Sequence, residues 1–138
     1  MRKGEVLGFS GLIGAGRTAV FEAICCLSAI ESGQVFVVGA ETRFSSVAAA
    51  RDAGLVYLTK DRKDKGLLLA QQMRPNLTLA ALPKFVRRLG IDTSAEDAAL
   101  ARAIRRFDIR ARDQKINVGD MSGGNQQKLL LAKVMESD

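Results

Sequence analysis

Residues 7–20 read LGFSGLIGAGRTAV, a strand-like apolar run that breaks into glycines at Gly11, Gly14 and Gly16, followed by Arg17 and Thr18. The spacing is that of a phosphate-binding loop, G-x-x-x-x-G-K-[ST], with arginine where lysine is expected. Such a loop needs a mobile backbone so that several N–H groups can converge on anionic oxygens. It also needs a helix start, where unpaired amides and the macrodipole favour negative charge. Gly11, Gly14 and Gly16 supply the first and a helix beginning near Thr18 the second. Thr18 is the expected Mg²⁺-ligating hydroxyl, and Arg17 the basic group that reaches the phosphates. Arginine keeps the charge but is longer, planar and forked, so binding survives the exchange better than fast turnover.

Working outward, residues 4–9 (GEVLGF) read as a short strand before the loop, and 18–30 (TAVFEAICCLSAI) as a helix apolar on all sides, suited to burial against a sheet. The stretch 34–38 (QVFVV) is β-branched and strand-like, 46–52 (SVAAARD) a short helix, and 54–58 (GLVYL) a buried strand. Strand, helix and strand punctuated by glycine predict an α/β fold with a parallel sheet. Residues 59–66 are charged and loop-like. Beyond them 76–82 starts a helix behind Pro75 that Pro83 interrupts. Thr93 or Ser94 caps a further helix to about Phe107, with Glu96 and Asp97 as capping-box acids. Leu100, Ile104 and Phe107 share one face of it. The expected organisation is a core portion over 1–74, a helical subdomain over 75–118, and a final segment over 119–138.

That final segment, 120–128 (DMSGGNQQK), leads into an apolar helix. Ser122 is a good N-cap, and Gly123 and Gly124 let backbone amides approach a partner closely.

The bulk composition narrows the possibilities. The 138 residues suit one domain with a substantial core, 47% hydrophobic and 26% charged. Twenty-one basic against fifteen acidic residues give a net charge of +6. The basic residues are dispersed, and aromatics make up only 5%, which argues against a stacking platform for nucleic acid. No nucleic-acid partner is expected. Cys25 and Cys26, adjacent in the expected helix, point in different directions and read as free thiols. The start MRKGEV lacks the apolar stretch of a signal peptide, and no apolar run approaches about 20 residues, the length that spans a bilayer.

Together GLIGAGRT (11–18), YLTKDRKDKGL (57–67) and MSGGNQQK (121–128) resemble the nucleotide-binding domain of ABC transporters. The likeness is to the second of the two ATP-binding halves in bacterial monosaccharide importers of the ribose, galactose and xylose type. It covers nearly the whole chain, with the motifs in order. The resemblance implies a P-loop NTPase core sheet with a helical subdomain, incomplete at both ends. It further implies ATP and Mg²⁺ as ligands, a second ATP-binding half and membrane permease subunits as partners, and a cytoplasmic, peripheral place at the inner face of the plasma membrane. By motif, Gly11, Gly14, Ala15, Gly16, Arg17 and Thr18 would face one nucleotide. Ser122, Gly123, Gly124, Asn125 and Gln126, the signature, would face the nucleotide held by the opposite half.

The chain departs from the family at three places. Lys60 stands where this half usually has glutamate, which reverses the charge and argues against a metal- or water-linked role for that loop. Met121 replaces leucine, a mild exchange. After Ser137-Asp138 the family continues into a strand carrying the Mg²⁺-coordinating Asp and the catalytic Glu. The expectation is therefore no catalytic residue within 1–138, negligible hydrolysis by the chain alone, and an open sheet edge that favours self-association. The competing expectation is a non-catalytic interaction module, its loop vestigial, docking a permease or partner half.

Overall fold

The computed structural model describes residues 1–137. They divide into two compact units, one running from Met1 to Tyr57 and one starting at Leu58.

In the first unit the glycine loop opens helix α1 (Arg17–Ile24), with Gly16 as N-cap in the left-handed region at φ 77°. Only glycine adopts that conformation at little cost. The helix ends earlier than the apolar run suggests. Cys26 turns left-handed at φ 61°, and its Sγ donates to the Phe44 carbonyl at 3.4 Å. No residue of α1 is buried, although the sequence predicts burial all round. Its best-defined packing is the Phe21 ring meeting Phe9 edge-on, centroids 5.0 Å apart.

Two-residue strands β1 (Phe36–Val37) and β2 (Ala40–Glu41) pair antiparallel in a hairpin. Val38 and Gly39 join them with φ of 51° and 81°, the positive pair that matches a hairpin's twist. Helix α2 (Val47–Asp52) follows, capped by Ser46 Oγ accepting from the Ala49 amide at 3.1 Å.

The parallel sheet expected from the sequence is not formed among the described residues. Their only sheets are two short antiparallel hairpins, and the runs at 4–9 and 54–58 join no strand. The reason is physical: a strand exists only with a neighbour to take up its N–H and C=O groups. Val6, in the first of these runs, is 97% exposed.

The second unit is helical and well packed. Helix α3 (Met73–Thr78) carries Pro75 in its first turn, where a missing N–H costs nothing. It continues as a 3₁₀ segment, Leu79–Lys84, kinked at Ala81 two residues before Pro83. An unforeseen hairpin of β3 (Val86–Arg87) and β4 (Gly90–Ile91) leads to α4 (Thr93–Phe107). The cap of α4 is Asp92, whose carboxylate accepts from the Ala95 amide at 2.9 Å, and not Thr93 or Ser94. Glu96, free of capping duty, is buried and accepts from the Thr78 hydroxyl.

A 3₁₀ turn, Val118–Asp120, precedes helix α5 (Gly123–Glu136). Helix α3 packs on both α4 and α5. Met73, Leu77, Leu100, Val118 and Leu129 are fully buried between them, with Ile104 and Phe107 at the margin on the face the spacing predicts.

Candidate functional site

In the first unit the loop before α1 is open. A Cβ at Gly14 or Gly16 would meet nothing within 4 Å, yet both have positive φ, 90° and 77°, so their bareness serves the backbone path and leaves room for a ligand. The Ala15 amide donates to Leu12 O at 3.1 Å and closes the turn. No side chain caps the first turn of α1, so its orphan amides stay available to an anion. Arg17 folds back, its Nη2 donating to Leu12 O at 3.3 Å, and Thr18 is half-buried one position into the helix. Gly11, Gly14, Ala15, Gly16, Arg17 and Thr18 are thus brought together, as a short contiguous segment must be.

The second unit holds Ser122 to Gln126. Ser122 caps α5, its Oγ accepting from the Asn125 amide at 3.4 Å and from Asn125 Nδ2 at 2.9 Å. With its lone pairs so used, the hydroxyl proton is left to donate outward from an exposed side chain. Asn125 is itself held, Oδ1 accepting from the Arg110 amide at 2.8 Å. Gly124 is exposed, and a Cβ there would meet nothing within 4 Å. Gln126 points the other way. It is buried, and its Nε2 donates to Val118 O at 2.9 Å and Met121 O at 3.2 Å.

One contributor was hidden from the sequence. The charged stretch expected to be a loop forms a wide π-helical turn, Arg62–Gly66, capped by Asp61. This turn lies along α5. Arg62 Nε donates to Gln126 Oε1 at 3.2 Å. About two helical turns further on, Lys133 Nζ donates to the Gly66 carbonyl at 2.8 Å. Gly66 is buried against Leu130, where an added Cβ would come within 3.1 Å. The Arg62–Gln126 pair is 64 residues apart in sequence, and no local pattern announces it.

Burial pushes the Lys133 ammonium below its ordinary pKa of 10.5. Between the lowered value and 10.5 the unfolded chain keeps a proton that the folded chain has released. Stability contributed by this group therefore rises with pH across that window. Urea unfolding over alkaline pH is expected to show a more positive slope for the wild-type chain than for Lys133→Met. Parallel slopes would contradict the assignment.

The model of the ABC transporter family matches residues 1–138. The chain belongs to the ABC transporter family. It is 39% identical over 133 residues to the ribose import ATP-binding protein RbsA of Lactococcus lactis subsp. cremoris, covering 96% of this chain and 27% of that protein. The RbsA of Oceanobacillus iheyensis is 38% identical with the same coverage. That of Caldanaerobacter subterraneus subsp. tengcongensis is 37% identical over 136 residues, 98% of this chain and 27% of that protein. The chain therefore spans about a quarter of the length of these curated relatives. No solved structure matches it. Membership of the ABC family carries the P-loop NTPase fold with it. No helix among the described residues is long and apolar enough to cross a membrane.

Proposed function

We propose that the chain is an ATP-binding portion of an ABC-type sugar importer, corresponding to the second ATP-binding half. One observation carries the reading: a single ABC-family chain presents two glycine-flanked helix starts, with open space above Gly14 and Gly16 at one and above Gly124 at the other. ATP is the ligand whose phosphates fit both. At α1 the amides of the first turn receive phosphate oxygens, and Arg17 exchanges its bond with Leu12 O for one to phosphate. Magnesium, when bound with the nucleotide, would screen the phosphate charge, and the Thr18 hydroxyl would hold it.

At α5, Ser122 and the amides of Gly123 and Gly124 face the nucleotide of a partner ATP-binding half. Gln126 supports that turn from beneath. Hydrolysis belongs to the whole assembly, which couples it to permease subunits at the inner face of the membrane. The relatives' name as ribose importers favours a monosaccharide as cargo.

Calorimetric titration of the chain with Mg·ATP tests the binding half of this reading. Arg17→Ala is expected to weaken binding by roughly 10- to 100-fold, the worth of a charge-assisted hydrogen bond. An Arg17→Ala variant that binds as the wild type does would overturn it. A wild-type chain silent to millimolar ATP would favour the vestigial loop of a docking module.

A further inference from the structure

Gly123 and Gly124 are bare for different reasons. A Cβ at Gly124 would meet nothing within 4 Å, whereas one at Gly123 would come within 3.0 Å of Arg62 Nη2 and 3.6 Å of its Cζ. Neither has a positive φ, so the backbone itself does not demand glycine at 123. What lies against it is the guanidinium, whose tip an added Cβ would push aside. A cation at a helix N-terminus opposes the macrodipole. This one is held there by Gln126 Oε1, and Gln126 in turn binds the carbonyls of Val118 and Met121, the turn that delivers Ser122. The chain of contacts runs Arg62, Gln126, Val118–Met121, Ser122.

We propose that Arg62 is the positioning residue of the signature turn, and that position 123 is glycine to admit its guanidinium. The proposal rests on the reading that Ser122 to Gly124 face a nucleotide. Arg62 touches no part of that surface through its hydrogen bond. It acts by fixing the side chain of Gln126, and its charge adds to the attraction of the helix start for phosphate. Gly124, with open space above it, is left as the position whose bareness serves the ligand.

The test compares Arg62→Ala, Arg62→Lys, Gly123→Ala, Gly124→Ala and two double variants, all in the full chain. Nuclear magnetic resonance follows the Gln126 side-chain amide and the backbone amides of residues 122–125, alongside Tm. Arg62→Ala and Gly123→Ala are expected to shift the Gln126 amide in the same direction. Their effects on Tm should not add, because an Ala at 123 displaces the same guanidinium that the first variant removes. Arg62→Ala with Gly124→Ala should add. Arg62→Lys should recover part of the attraction for phosphate and only part of the Gln126 shift, its Nζ lying one atom beyond the position of the guanidinium Nε.

Additive effects of Arg62→Ala and Gly123→Ala, or an unmoved Gln126 amide, would overturn the proposal. A second arm titrates Mg·ATP with the partner ATP-binding half present, since that half holds the nucleotide these residues face. The midpoint read at the amides of residues 122–125 should rise about tenfold in Arg62→Ala, through loss of the cation's attraction and of its hold on Gln126, while that read at Gly14 and Gly16 stays put. Equal midpoints at residues 122–125 in the two proteins would also overturn it. Wild-type signature amides that ignore Mg·ATP would instead bring down the nucleotide-facing reading, and the coupling between positions 62 and 123 would then decide the positioning role alone.

Discussion

Leu77→Ala is expected to destabilise the second unit by about 3 kcal/mol, read by urea unfolding followed through helix ellipticity. Leu77 lies on α3 with no exposed surface, in the cluster shared with Met73, Leu100 and Leu129. Truncation removes its burial energy and leaves a cavity that helices locked on two sides cannot collapse into. The result matters because small domains hold only about 5–15 kcal/mol in total. A loss under about 1 kcal/mol would mean that α3 is not the keystone between α4 and α5.

Asn76→Leu keeps the branching at Cγ and removes the hydrogen bonds, and an expected cost of about 2–4 kcal/mol follows from the groups it orphans. The Asn76 side chain closes a ring with one residue: Oδ1 accepts from the Leu68 amide at 2.7 Å, and Nδ2 donates to the Leu68 carbonyl at 2.9 Å. Nδ2 also reaches Gln72 O at 3.0 Å. In this way a buried amide stands in for a strand partner and pins the chain between the π turn and α3. Buried groups stripped of such a partner bear their full desolvation cost. Hydrogen exchange should show the Leu68 amide fast in the variant and slow in the wild type. A slow amide in both would show that something other than Asn76 protects it.

What the sequence revealed and what it concealed divide along chain separation. The glycine loop and the Ser122 cap are local, decided within a turn of the residues that make them, and they were legible. The cap of α4 slipped by one or two positions because Asp92, Thr93 and Ser94 are all competent oxygens, and only side-chain reach selects Asp92. Glu96 read as a capping acid for the same reason, until its burial beside Thr78 gave it another partner.

The apolar runs at 4–9 and 54–58 have strand composition, but composition does not supply a neighbouring strand, and pairing is non-local. The π turn shows the same limit from the other side. Its charge suggested a solvated loop, whereas two cation contacts with α5, from Arg62 to Gln126 and from Lys133 to Gly66, fix it in place. Those partners lie 64 and 67 residues apart.

The placement of α5 also has a bearing on synthesis. Met73 and Leu77 are made early in the second unit, but the Leu129 side that covers them follows some 50 residues later. At about 5–20 residues per second, a ribosome needs several seconds to span that gap, far longer than a helix takes to form. During that interval α3 and α4 can pair while their remaining apolar face is open to chaperones. Helix α5 thus acts as the closing piece of its unit, and a chain released before α5 emerges would have no finished core to protect it from proteolysis.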